Sequence, residues 1–167
     1  MYESAQPVKD FLCPSWDELP SITLYMYQVL LVLNGTLEPL TSAEDARVTA
    51  AMINNYVKQK LVAPPLKKKY GREQLSRLII LCLLKRVLSI SEISLLFQAI
   101  NAQETQEFHT LFCGALEAAL RQGLEGGMNA MAQFCDTQSG ATLCAALLAL
   151  SGRIYVECAL KKKTDTE

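Results

Sequence analysis

The stretch from Thr49 to Ile93, TAAMINNYVKQKLVAPPLKKKYGREQLSRLIILCLLKRVLSISEI, decides how the rest of the chain is read. Thr49 suits an N-cap, because its hydroxyl can accept from a backbone N–H that has no partner in the first helical turn. Behind it, Ile53, Val57 and Leu61 recur at four-residue intervals, and Met52 and Tyr56 widen the stripe into a buried face. Ala51, Asn54, Asn55 and Lys58 fall on the other side. Pro64 and Pro65 end this helix, since neither offers a backbone N–H and Ala63 before them is pushed toward extended geometry. A loop then carries Lys67, Lys68, Lys69 and Tyr70. Gly71 takes the N-cap place of a second helix, Arg72 to Val87, which is apolar nearly all round after Leu75 and should be the buried centre. Ser89 and Glu92 form a capping box for the next helix, running through Ile93, Leu96, Phe97 and Ile100. A short helix with an amide-bearing face, followed at once by a basic loop, is the pattern of a nucleic-acid reader.

Charge distribution points the same way. At 167 residues and 50% hydrophobic, the chain can bury a real core, as one compact unit or two small helical subdomains. Its formal charge of −1 hides an asymmetry. Between Lys58 and Arg86 stand nine basic residues (Lys58, Lys60, Lys67, Lys68, Lys69, Arg72, Arg77, Lys85 and Arg86) against one acid, Glu73. That segment therefore carries +8 and the remainder −9. A local positive field on an otherwise acidic molecule suits an anionic polymer. The charge run alone also fits a solvated face; the helix-loop pattern tips the reading toward nucleic acid.

These residues resemble a known family. The order Ile53-Asn54-Asn55-Tyr56, Lys60-Leu61-Val62, Pro64-Pro65, Lys69-Tyr70, Leu75, Leu78, Ile80 and Ser89-Ile90-Ser91-Glu92-Ile93 is similar to the winged helix-turn-helix of MerR-type transcription regulators. Those proteins end the recognition helix in Arg-Tyr-Tyr, where this chain has Asn54-Asn55-Tyr56. The wording is closer still to a family of uncharacterised bacterial proteins, domain of unknown function 1836. Its phrases are Met-Ile-Asn-Asn-Tyr, Pro-Pro-x-Lys-Lys-Lys-Tyr and Leu-Ser-Ile-Ser-Glu-Ile. That match runs from about Leu19 to Phe97. The resemblance implies duplex DNA as partner, with Thr49, Ala51, Asn54, Asn55, Tyr56 and Lys58 on the recognition helix. Lys67, Lys68, Lys69, Tyr70 and Arg72 would belong to the wing.

Residues 1–20 form a weakly patterned arm, which Trp16 and Phe11-Leu12 are expected to dock onto the body. Ser21 or Thr23 can cap a helix carrying Leu24, Tyr27, Val29, Leu30, Leu31 and Leu33, predicted to end at the Asn34-Gly35 turn. After Asn101, residues Phe108, Leu111, Phe112, Ala115, Leu116, Ala119 and Leu120 keep three-four spacing and predict an amphipathic helix, with His109 beside its stripe as a surface or boundary residue. Gly123, Gly126 and Gly127 are expected to break it, before a short segment with Met128, Met131 and Phe134 on one side. A last helix, about Ala141 to Lys161, carries Leu143, Leu147, Leu150, Ile154 and Cys158 on one stripe and Cys144, Leu148 and Tyr155 beyond it. A helix apolar on two sides is either central or shared between subunits. Lys161, Lys162 and Lys163 suit the negative end of the helix dipole.

Other classes find little support. Cys13, Cys82, Cys113, Cys135, Cys144 and Cys158 include no Cys-x-x-Cys pair, and His109 is the single histidine, so no metal is expected. Small buried hydrophobes are the leading role for these thiols, and a thiol sensor needs several of them to converge in space. No Gly-rich phosphate loop, nucleophile–His arrangement or apolar-set carboxylate pair suggests an enzyme or a cofactor. The start of the chain lacks a signal-peptide pattern, and the run Leu78 to Leu84 is far shorter than the ~20 residues a membrane span needs, so a cytoplasmic location is expected.

The expectation is thus an all-α protein: an arm at 1–20, a MerR-like winged helix-turn-helix at 21–100, and a C-terminal helical module at 101–167 for dimerisation or sensing of an effector. The leading function is a DNA-binding transcription regulator acting as a homodimer. The alternative is a non-enzymatic protein-interaction module on the same scaffold.

Overall fold

The computed structural model describes residues 6–41, 47–100, 105–132 and 137–164. In chain order they form α1 (Gln6–Lys9), β1 (Leu24–Tyr25), α2 (Met26–Leu37), α3 (Ala50–Lys58), β2 (Lys69–Tyr70), α4 (Arg72–Leu84), α5 (Ile90–Ile100), α6 (Thr105–Met131) and α7 (Gln138–Thr164). Single 3-10 turns lie at Trp16–Glu18 and Glu38–Leu40. The chain is mainly helical, but not wholly so: β1 and β2 pair antiparallel, Leu24 opposite Tyr70 and Tyr25 opposite Lys69. Strands of two residues carry no periodicity for a sequence reading to detect.

Helix α4 is the centre. Nine of its 13 residues are buried, from Leu75 and Ser76 to Leu84, so it is enclosed on every side, as its all-round apolar sequence requires. Helix α5 begins on the expected capping box: Ser89 Oγ accepts from the Glu92 N–H at 3.2 Å, and a Glu92 carboxylate oxygen accepts from the Ser89 N–H at 2.7 Å. One continuous apolar core runs from Val8 through α4 to Ile154, joining all three sequence segments.

Helix α2 does not stop at Asn34-Gly35 but continues to Leu37. The Asn34 carboxamide explains why. Its Nδ2 donates to Leu30 O at 2.9 Å and to Val48 O at 3.1 Å, while its Oδ1 accepts from the Val48 N–H at 2.9 Å. The side chain that looked like a turn-former is spent on holding the approach to α3. Helix α6 likewise runs through Gly123, Gly126 and Gly127 to Met131, so the predicted break is absent. The expected short segment with Met128 and Met131 is thus part of α6, and Phe134 and Cys135 lie outside the described residues. Helix α7 extends the predicted last helix at both ends, with Leu143, Leu147, Leu150 and Ile154 buried against the core. It is fastened to α6 by Ser151 Oγ, which donates to Ala119 O at 3.1 Å, and by the Tyr155 hydroxyl, which donates to Leu120 O. By length and composition alone, Gln138–Leu160 could cross a membrane; here its leucine stripe is covered by protein.

His109 is not at the surface. It is fully buried where α4, α6 and the strap of residues 11–18 meet. Its Nε2–H donates to Pro14 O at 2.8 Å, so Nδ1 is the acceptor of the Ser76 hydroxyl, also at 2.8 Å. The Trp16 ring meets it edge-on at 5.9 Å. Burial lowers its pKa below the usual histidine range, opposed by the bond to Pro14. Phe11 and Trp16 do dock the strap, whereas Leu12 faces solvent.

Candidate nucleic-acid interface

The amide face of α3 is built from its N-cap outward. Thr49 Oγ1 accepts from the Met52 N–H at 3.3 Å, with Thr49 in extended backbone geometry. Ile53 and Tyr56 are then buried, Met52 and Val57 half-buried, and Thr49, Ala51, Asn54, Asn55 and Lys58 exposed. The four-residue stripe has therefore sorted the helix as its spacing demands: apolar groups toward α2 and α4, carboxamides toward solvent.

Helix α3 ends in a paired-bond cap. The Leu61 N–H donates to Tyr56 O and the Lys60 N–H to Val57 O, both at 3.0 Å, with Lys60 at φ 59°. This left-handed position is normally given to glycine, since a Cβ there crowds the backbone. The hairpin that follows repeats the feature twice. Leu66 and Lys69 exchange both backbone bonds, at 2.9 and 3.0 Å, across a two-residue tip. Lys67 at φ 49° and Lys68 at φ 64° form that tip. A two-residue turn with both centres left-handed ordinarily takes Asn-Gly. Here two lysines occupy it, and each left-handed non-glycine residue costs about 1 kcal/mol or more. Among the described residues, the non-glycine positions with positive φ are Lys60, Lys67 and Lys68, all exposed cations around one loop.

Gln74 sets the base of the hairpin. Its Oε1 accepts from the Gly71 N–H at 2.7 Å, capping α4, while its Nε2 donates to Ala63 O and Pro64 O, each at 2.9 Å. One carboxamide thus ties the end of the α3 loop to the start of α4. Arg77 adds a second tie: Nε donates to Leu61 O at 3.3 Å, and the guanidinium lies 3.6 Å from the Phe97 ring centroid. Desolvation lowers the Arg77 pKa. This cation belongs to the scaffold. Arg86 does too, bonded to Leu40 O at 2.6 Å and to the Glu157 carboxylate.

The remaining predicted residues divide. Lys69 is half-buried with its ammonium 4.8 Å from the Tyr25 ring centroid, a cation–π contact across the β1–β2 pair. Arg72 is half-buried against Trp16, 5.7 Å from its ring, and 3.8 Å from the Asp17 carboxylate; its Nε is buried with no hydrogen-bond partner. Tyr56 and Tyr70 are in the core, and burial raises the pKa of both, Tyr56 to about 12. Neither ring is offered to a ligand, which corrects their inclusion with the surface residues. Tyr56 falls on the Ile53 side of α3, and Tyr70 alternates inward from Lys69 on β2. The sequence reading takes Asn34 for a turn-former, counts Lys60 only as charge, and gives Gln74 no role. A left-handed lysine leaves no sequence signature, and both carboxamides bond backbone groups at least ten residues away.

A family model described as Domain of unknown function (DUF1836) matches residues 14–113. The matched span holds β1 through α5 and the first third of α6, and with them every residue of the basic face. No curated protein matches the chain, and no solved structure does.

Proposed function

The chain belongs to the family described as Domain of unknown function (DUF1836), a description that assigns no activity, and from the geometry of its basic face we propose that it is a DNA-binding transcription regulator. In this reading residues 21–100 are a MerR-like winged helix-turn-helix, with α3 as recognition helix and residues 66–70 as wing. The order of short strand, two helices, hairpin and two helices supports it. The observation that carries the proposal is the Lys67–Lys68 tip, where strained backbone presents two ammonium groups beside an exposed carboxamide face. Strain retained at one surface site, and filled by the same residue type each time, favours a binding role there. Helix α3 would enter the major groove with Asn54 and Asn55 toward adenine edges and Ala51 toward a thymine methyl group. Lys58, Lys60, Lys67, Lys68 and Lys69 would neutralise phosphates and fix the register. The regulator would be a cytoplasmic twofold dimer. Leu147 is already buried within the monomer, so the α7 surface left for a second copy includes Ala145, Ala149, Val156 and Leu160.

Titration of labelled random duplex with the whole protein at several salt concentrations tests this. Log affinity should fall with log salt by roughly 0.9 per phosphate contact. Replacing Lys67, Lys68 and Lys69 together by alanine should weaken all sequences alike and flatten the slope. Asn54→Ala or Asn55→Ala should cost about 1–3 kcal/mol on a selected site and little elsewhere. Absence of salt-dependent binding by the unaltered protein overturns the reading.

One observation favours the alternative, a protein-interaction module. Tyr27 and Leu31 lie one turn apart on α2 and are 64% and 69% exposed, and Leu66 beside the tip is 80% exposed. Apolar side chains bordering a basic loop suit an acidic, partly apolar peptide. Tyr27→Ser with Leu31→Ser would abolish peptide binding and leave a true duplex interaction close to unchanged.

A further inference from the structure

On α6, His109, Cys113 and Glu117 stand four residues apart and share one face. The outer two both grip the N-terminal strap at adjacent residues. His109 Nε2–H donates to Pro14 O at 2.8 Å, and Glu117 Oε1 accepts from the Cys13 N–H at 2.9 Å. The residue between them on α6, Cys113, is thereby set facing Cys13, whose thiol raises the Cys113 pKa. Cys13 and Glu117 line a solvent-open cleft of about 600 Å³, walled on the other side by Gly35, Thr36 and Pro39. The other thiols among the described residues are placed differently. Cys82 is enclosed in α4, where burial pushes its pKa to about 12, and Cys144 and Cys158 lie on α7.

We propose that Cys13 and Cys113 form a thiol–disulfide site, oxidised by small hydroperoxides that enter through this cleft, whose closure locks the strap onto α6. Cys13, at the cleft wall, attacks the peroxide: its sulfur gains one oxygen to become a sulfenic acid, and the peroxide is reduced to water, or to an alcohol. The Cys113 thiol then attacks that sulfur, the S–OH bond breaks, and the hydroxyl leaves as a second water with the Cys113 proton. The two sulfurs together lose two electrons. The two flanking bonds hold these thiols face to face, and side-chain rotation would bring them to the ~2.05 Å covalent bond. The His109 Nε2 lies 3.5 Å from the Cys113 sulfur, so the imidazole that holds Pro14 also flanks this thiol. The facing Cys13 thiol and burial hold Cys113 above the ordinary thiol range, so the closing attack by Cys113 is the step they slow. In a reducing compartment the resting state is the dithiol.

The strap also carries Trp16 and Asp17 to Arg72, so a locked strap would hold the base of the hairpin. The site itself stands on strap geometry and does not depend on duplex binding. The test treats the reduced, full-length protein with hydrogen peroxide in native buffer, blocks residual thiols and maps the peptides by mass. The expected result is one linked pair containing Cys13 and Cys113, short of two hydrogens, reversed by dithiothreitol, with a rise in Tm of at least ~5 °C because the bond closes a long loop. Cys82→Ser should form the same link. In Cys113→Ser, a sulfenic-acid probe should label Cys13. If Cys113→Ser does not fold, mapping of the unaltered protein decides alone. Linkage to a different cysteine, or oxidation to sulfinic acid with no link in folded protein, overturns the proposal.

Discussion

The Asn34 side chain pairs with both backbone groups of Val48, imitating a strand neighbour from within a helix. Through this contact the exposed amide face of α3 takes its position from α2, since Val48 directly precedes the Thr49 cap. Removing one partner of a buried pair leaves the other unsatisfied, which costs about 1–3 kcal/mol. Asn34→Ala should lower stability by that amount in urea denaturation. Asn34→Asp keeps the acceptor for the Val48 N–H but loses the donor, so it should fall between the two. An unchanged midpoint for Asn34→Ala would show that the contact is not made in solution.

Gln74 makes a sharper test of geometry against charge. Gln74→Ala removes three hydrogen bonds at the hairpin base without altering any charge. Duplex affinity should drop severalfold while the salt slope stays that of the unaltered protein, because the same phosphates are met by a looser loop. A changed slope would mean that the lysines have been lost from the contact.

Lys67→Asn combined with Lys68→Gly should stabilise the fold and weaken binding together. Asn-Gly accepts the left-handed turn that lysine resists, so unfolding free energy should rise by about 1 kcal/mol. Affinity for every duplex should fall at the same time. Chemical denaturation and a binding titration on one preparation read both. A stability loss would mean that the tip lysines are not held left-handed.

His109 should make stability depend on pH. Its folded pKa lies below the ordinary 6.5, so between those values the unfolded chain binds more protons than the native one. The stabilisation is therefore complete above about pH 6.5 and is lost as pH falls below it toward the depressed folded value. A melting series should show Tm falling through that window. His109→Gln, which does not titrate, should flatten this part of the profile whatever its effect on absolute stability.

What could be read from the chain itself was local. Ile53, Tyr56 and Leu61 declared the buried face of α3, and the run after Leu75 declared the central helix, because periodicity records burial residue by residue. Ser89 and Glu92 announced α5 through contacts three residues apart. The features that fix the candidate face were not local. Gln74 reaches back to Ala63, and Asn34 forward to Val48. His109 was misjudged because its partners, Ser76 and Pro14, lie 33 and 95 residues away in sequence. Tyr56 and Tyr70 resemble surface aromatics in a basic motif until helix phase and strand alternation turn them inward. The left-handed lysines could not be anticipated, since composition favours other residues there.

The Arg86–Glu157 pair has a consequence for how the family region can be cut. Arg86 lies inside the matched span of 14–113 and Glu157 far beyond it, yet their side chains are only 13% and 22% exposed. Arg153 reinforces the joint, donating to Arg86 O at 2.6 Å and to Glu157 at 2.8 Å. A fragment trimmed to residue 113 would strip the carboxylate from a nearly buried guanidinium and, with α7, would lose Ala119 and Leu120, the part of α6 to which α7 is fastened. The matched span 14–113 is therefore not a self-contained packing unit in this chain: Arg86 within it takes its carboxylate from α7 beyond it.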